Sequence, residues 1–283
     1  MIRLFAILLG LVFVFVSAVS FVSGLGVWIG SEPQETAELK HHEHAHDHHF
    51  SFDGPFGHFD RQQLQRGFQV YKEVCQGCHG LSFVAYRNLQ EIGYSEAEVR
   101  AIASQGPEVS IPDPQSGEVG KATRKALPSD QFPSPYPNEI AARAANNNAV
   151  PPDLSLIVKA RENGADYLYA LLTGYQDPPA DVEVPSGLYY NPYFHSIKIA
   201  MPPPLSEGSV AYKDGTNPTV EQMAEDVTAF LAWAAEPNLE RRLQYGWAVL
   251  IFLLFATVLA YFAYRSVWAD RKVKGKKGKS ASA

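Results

Sequence analysis

Residues 60–79 read DRQQLQRGFQVYKEVCQGCH, and the architecture of the chain follows from them. Asp60 is a helix-capping residue, with Gln63 at the capping-box spacing. Leu64, Phe68, Tyr71 and Val74 fall on one face of the helix that follows. Gly67 lies on that face too, where the absence of a side chain lets a second helix come close. The helix runs directly into Cys75-Gln76-Gly77-Cys78-His79, which is C-x-x-C-H, the attachment motif of a c-type haem. Thiols at i and i+3 meet the two vinyl groups on one haem edge as thioethers, and the adjacent His79 supplies an imidazole nitrogen to the iron. The rival reading is a dithiol redox pair, which expects a strand ahead of the motif. The pattern ahead of Cys75 is helical.

Cys75 and Cys78 are the only cysteines in 283 residues. A disulfide closing a large loop and a zinc site of four thiolates are both excluded. Residues 1–30 begin with Arg3 and continue as an uncharged apolar run from Leu4 to Gly30. The run reads as an export signal, cleaved after a small residue such as Ala18 or Gly24, or as an N-terminal anchor, since about 20 apolar residues span a bilayer. Residues 31–49 form a hydrophilic linker holding His41, His42, His44, His46, His48 and His49. That tract is either a solvated spacer or a metal-binding stretch.

Residues 50–238 make up the haem domain. From Gly106 to Pro152 the composition predicts long loops with one short helix around Glu139–Ala145, and a further helix is expected over Ala165–Thr173. Loops of this length usually carry function, here wrapping the haem. A last helix begins at Thr219, with Val220, Met223, Val227, Phe230 and Ala234 as its apolar stripe and Pro237 as its stop. Residues 239–268 hold an uncharged run, Tyr245–Tyr264, flanked by Tyr245, Trp247, Tyr261, Tyr264 and Trp268, as in a transmembrane helix with aromatic belts. Residues 269–283 form a basic tail. From Arg265 onward seven cations stand against Asp270, so the net charge of −6 conceals −13 on the segment between the apolar runs. The cationic tail belongs in the cytoplasm and the acidic body outside. Acidity of this kind serves solubility or attracts a cationic partner.

His and Met together commonly hold haem c iron, a pairing that raises the potential. Of three methionines, Met1 sits at the export end and Met223 on an apolar stripe. Met201, in Ile199-Ala200-Met201-Pro202-Pro203-Pro204, lies in a proline-stiffened loop and is the sixth ligand by elimination. His195 is the runner-up and His58 a weaker alternative. Arg143, Arg161, Asn146 and the tyrosines nearby are candidates for holding the haem propionates, since an arginine fork suits a carboxylate.

From Gly54 to Trp268 the chain resembles the cytochrome c1 family. The stretches that carry the resemblance are Arg66–Cys75, Ala142–Asn147, Pro151–Ser155, Tyr167 with Leu171–Tyr175, Tyr189–Phe194, Met201–Pro204 and Trp233–Pro237. The resemblance implies a mainly α, class I c-type cytochrome-like domain with long loops around one covalent haem c, plus a single C-terminal transmembrane helix. It implies His79 and Met201 as iron ligands, with Arg161 and Tyr167 on a propionate. Asn146, Pro151 and Pro152 would line the haem crevice. It further implies a carrier of single electrons from the Rieske iron–sulfur protein to cytochrome c, seated beside cytochrome b in a bc1 complex. The setting is a bacterial-type inner membrane, with the haem domain in the periplasm, membrane lipid around the anchor and no nucleic acid among the partners. Such a chain is not an enzyme by itself. The alternatives are a haem subunit of another membrane oxidoreductase, or a haem enzyme or sensor with an open sixth position. Some bacterial members carry a disulfide near the methionine loop. This chain has no cysteines for one, so prolines and packing alone are expected to hold the loop.

Overall fold

The computed structural model describes residues 2–30, 36–113 and 118–280, and it divides into two compact units between His42 and Glu43. The first unit contains α1 (Ile2–Gly30) and the short α2 (Ala37–His41), which is capped by the Thr36 hydroxyl accepting the Leu39 N–H. Every side chain of α1 is exposed, and the helix is long and apolar enough to cross a membrane.

The second unit opens earlier than the sequence suggests. The Glu43 N–H donates to the Pro192 carbonyl at 2.9 Å. The ring of His48 stacks on Tyr169 with centroids 4.0 Å apart, and its backbone N–H donates to the Asp166 carboxylate at 3.1 Å. The expected solvated spacer therefore ends before His48, which is a packing residue. Among the described residues no group of three or more His, Cys, Asp or Glu side chains is placed to hold a metal ion.

Helix α3 (Arg61–Val70) starts where expected, with the Asp60 carboxylate accepting the Gln62 N–H. The capping box does not form. Gln63 instead reaches across to donate to Glu225 at 3.0 Å, because the second helix passes close enough to claim it. That helix is α7 (Val220–Ala235), buried on nearly every side. A Cβ at Gly67 would overlap the Asp226 carbonyl and the Phe230 side chain, so only glycine permits this crossing. The pair is locked by Arg66, whose guanidinium donates twice to the fully buried Asp226 carboxylate, at 2.9 and 3.0 Å. Around the crossing sit Leu64, Phe68, Tyr71, Tyr86, Phe132 and Phe230, with rings packed edge-on or tilted, the favoured arrangement of aromatic pairs.

The remaining elements wrap this core. A π turn (Tyr71–Cys75) continues α3, followed by β1 (Leu81–Ala85), a 3-10 helix (Tyr86–Ile92) and α4 (Glu96–Gln105), whose Ser95 and Glu98 do form a capping box. The predicted loop after Gly106 contains an antiparallel hairpin, β2 (Val109–Pro112) with β3 (Val119–Arg124), before β4 (Gln131–Phe132) pairs with β1. Helix α5 (Glu139–Ala145) lies where expected, and α6 (Gly164–Thr173) packs on α7. Between them in the chain and the end of the domain, β5 (Tyr189–Tyr190) pairs with β6 (Lys198–Ile199).

Helix α8 (Leu239–Ser280) runs 42 residues, continuing through the expected tail. Its stretch Leu239–Ala269 is long and apolar enough to cross a membrane. The joint between α7 and α8 is clamped. Glu236 accepts from Lys159 of the body and from Arg242 of α8.

Candidate functional site

The π turn sets up the haem motif. The Gln76 N–H bonds back to the Tyr71 carbonyl at 2.8 Å, and the N–H groups of Cys78 and His79 both converge on the Cys75 carbonyl. This turn holds the two thiols one helical turn apart. Neither is in a disulfide, Cys75 is half-buried and Cys78 is exposed. Burial, and then the neighbouring Cys78, push the Cys75 thiol up to about 12. A redox dithiol needs the opposite shift, towards thiolate.

His79 is oriented by the chain 73 residues later: its Nδ1 lies 2.8 Å from the Pro152 carbonyl oxygen. A carbonyl only accepts, so Nδ1 carries the proton and the Nε2 lone pair is left for a metal. Burial lowers the His79 pKa, outweighing the Pro152 bond and the Asp153 charge, and keeps the ring neutral. The Pro152 carbonyl is held in turn by Asp153, whose carboxylate accepts the N–H groups of Ser82 (2.8 Å) and Ser155 (2.9 Å). Leu154 N–H donates to the Gly80 carbonyl, and the Ser155 hydroxyl accepts the Phe83 N–H. The Pro-Pro-Asp-Leu-Ser stretch is thus stitched to β1, directly after the motif. Burial opposes ionisation of Asp153, but the hydrogen bonds from Ser155 and Ser82 outweigh it and hold the carboxyl below its usual range. The Tyr71 hydroxyl, forced into the core, donates to the His79 carbonyl at 3.3 Å.

A second group forms around Met201. Arg161 lies close to Tyr167, and burial raises the Tyr167 pKa against the pull of that guanidinium. Tyr167 neighbours Tyr175, whose hydroxyl donates to the Met201 carbonyl at 3.1 Å. The expectation that prolines and packing alone hold the methionine loop is corrected here. The fully buried Asn191 donates from Nδ2 to the Leu171 carbonyl at the end of α6, at 2.8 Å. The Glu43 N–H donates to the Pro192 carbonyl, and burial, then the nearby Glu43 carboxylate, raise the Tyr193 pKa. Ile197 sits at φ +53 and is fully buried, a conformation a β-branched residue holds only when its surroundings impose it. A cleft of about 460 Å³ beside this loop is lined by Tyr175, Tyr189, Tyr190 and Pro203, and not by Cys75 or His79.

Of the other sequence candidates, Met223 is a core residue, fully buried with its sulfur accepting the Ser209 hydroxyl at 3.5 Å. His58 and His195 are exposed. Pro151 immediately precedes the Pro152 carbonyl and follows Val150, an apolar side chain left 37% exposed. Asn146 turns its amide onto the Ala142 carbonyl of its own helix, at 2.7 Å, and Arg143 donates to the Asn148 carbonyl. Tyr71, Asp153, Tyr175, Asn191 and Glu43 support the site without standing out by residue type. Asn191 lies in the Tyr189–Phe194 stretch that carries the family resemblance, and by residue type its signal was a lone amide in an aromatic and proline run.

The donor set fits a covalently carried haem: two thiols free of disulfide at i and i+3, and a neutral imidazole with Nε2 free. Tyr175→Phe is expected to release the Met201 carbonyl at a net cost of about 0.5–1.5 kcal/mol. The ligation of iron expected of Met201, followed by its absorption band during alkaline titration of the oxidised protein, should fail roughly one pH unit earlier. A titration superimposable on that of the parent chain would remove Tyr175 from this role.

Residues 50–271 match the Cytochrome C1 family. Among relatives, "Cytochrome c1-2, heme protein, mitochondrial" of Solanum tuberosum is 47% identical over 219 residues, covering 77% of this chain and 83% of its own length. Cytochrome c1 of Rhodospirillum rubrum is 42% identical over 243 residues, covering 80% of this chain and 88% of that one. "Cytochrome b/c1" of Bradyrhizobium diazoefficiens is 49% identical over 243 residues, or 78% of this chain, which spans only 35% of that longer relative. With the family matched across most of its length and the attachment motif folded as described, the chain belongs to the cytochrome c1 family.

Proposed function

We propose that this chain is the membrane-anchored haem subunit of a cytochrome bc1 complex, passing single electrons from a Rieske iron–sulfur protein to a cytochrome c, with cytochrome b as its neighbour. The observation that carries the reading is the His79 Nδ1 bond to the Pro152 carbonyl beside the two thiols, which reserves Nε2 for iron. A haem held there supplies reversible one-electron chemistry. Cys75 and Cys78 would hold its vinyl carbons, His79 and Met201 its iron, and Arg161 and Tyr167 a propionate. Asn146, Pro151 and Pro152 would line the crevice. The Met201 thioether favours the ferrous state and so a high potential. With His79 and Met201 both holding the iron, no position would be left for a substrate, and the chain would perform no bond chemistry of its own.

Residues 50–238 form the haem-bearing body in this reading, buttressed by the strap from Glu43. Residues 239–268 are the anchor and 269–283 the cytoplasmic basic tail, which places the body in the periplasm by the charge rule. Residues 1–30 are a signal or a further anchor. The relatives named as heme proteins support the cofactor, and the relative named cytochrome b/c1 supports the pairing with cytochrome b. Solubilisation in mild detergent followed by subunit identification tests the proposal. The chain should co-purify as a red, low-spin c-type subunit with quinol–cytochrome c reductase activity. Recovery with terminal-oxidase subunits instead would refute it.

A further inference from the structure

The turn after Phe52 makes contact with the start of α8. The Phe59 N–H donates to the Glu240 carboxylate at 2.7 Å. The ring of Phe56 stacks on Trp247, with centroids 5.5 Å apart and planes 14° from parallel. Yet Phe56 is 79% exposed, and Tyr245 and Trp247 beside it are open as well. The turn is built, not slack. Gly54 adopts φ +75, and a Cβ at Gly57 would run into the Phe52 and Asp53 carbonyls. Its backbone groups bond internally, Gly57 N–H to Gly54, His58 N–H to Ser51 and Phe50 N–H to the Asp53 carboxylate. The result is a turn braced by its own hydrogen bonds, with one apolar ring at its apex.

We propose that this tip is a second membrane contact: Phe56 enters the headgroup boundary of the bilayer beside Trp247 and Tyr245, so that the haem body rests on lipid as well as hanging from its anchor. The inference rests on the reading of α8 as a membrane span. Trp247 lies just past Arg241 and Arg242, at the start of the uncharged run, which is where aromatic belts sit. Whatever stacks on Trp247 shares that depth. An aromatic tip flanked by Tyr and Trp, free of charge at its apex, matches the aromatic belt of the headgroup boundary.

The test places the photo-crosslinking residue p-benzoylphenylalanine at position 56 of the full chain in its native membranes, with position 83, an exposed phenylalanine on β1, as control. Irradiation should give phospholipid adducts at position 56 and none at 83. Adducts to another polypeptide at position 56, equal lipid labelling at both positions, or no adduct would each overturn the inference. A nitroxide on Phe56→Cys gives a second reading. Collisions with oxygen should exceed those with a water-soluble nickel complex, and the reverse order would overturn the inference as well. Alkaline carbonate washing separates the two levels. A chain that washes out overturns the anchor reading and this inference together, whereas a retained chain without lipid adducts overturns the inference alone.

Discussion

Met201→Leu is expected to leave the fold intact and strip the iron of its sixth protein ligand. The swap conserves volume, which usually costs under about 1.5 kcal/mol. The Tyr175 hydrogen bond goes to the backbone carbonyl of residue 201 and survives it. What is lost is the thioether alone. The iron should become five-coordinate or take up water, and its potential should fall by a substantial part of the roughly 0.8 V that axial ligands span. Met223→Leu is the matched control. It removes a buried sulfur that accepts from Ser209, so a small stability loss with unchanged spectrum and potential is expected. A low-spin spectrum and potential in the Met201 variant equal to the parent's would mean that some other residue holds the iron, with exposed His195 first in line.

Arg66→Ala should be the most damaging single change at the α3–α7 crossing. Asp226 has no exposure, and the guanidinium that neutralises it bonds both of its oxygens. Without Arg66 the carboxylate keeps only the Gln222 amide at 3.1 Å. Uncompensated buried charges of this kind cost about 3–5 kcal/mol, against a typical total stability of about 5–15 kcal/mol. Arg66 also bonds Asp214 and lies 5.9 Å from the centre of the Tyr212 ring, contacts that vanish with it. The double replacement Arg66→Met with Asp226→Leu should recover most of the loss, because the pair itself contributes little net stability beyond apolar side chains of similar size. Denaturant unfolding followed by haem absorbance measures both. A loss of less than about 1 kcal/mol in Arg66→Ala would show that the pair is not desolvated as the burial indicates.

The parts of the molecule written in local chemistry were readable in advance. The attachment motif, the glycine that admits α7, the short helix over Glu139–Ala145 and the buried stripe of α7 each depend on residues close in sequence. The hairpin of β2 and β3 was not readable. It is short, only half-buried on one face, and punctuated by Pro112, so no strong alternation marks it. The supports of the methionine loop were hidden for a different reason. Asn191 is satisfied by Leu171, and Pro192 by Glu43, 149 residues away, so nothing in either neighbourhood announces the contact. His48 read as one of six interchangeable histidines until Tyr169, Phe50 and Asp166 gave it a place. The haem candidates fall between these cases. His79 was legible from its motif, but the carbonyl that aims it comes from Pro152, whose part depends on Asp153 stitching the loop to β1.

The clamp at Glu236 has a mechanical meaning. A three-residue joint, Glu236-Pro237-Asn238, is short enough to act as a swivel, letting the body tip about the start of α8. Lys159 pulls on Glu236 from one side and Arg242 from the other, while Glu240 holds the Phe59 N–H and Trp247 meets Phe56. These ties join the body to the start of α8 at several residues, so tipping about the joint has to break them. The body is therefore a fixed pier, not an arm. A redox partner then meets the haem domain where it stands.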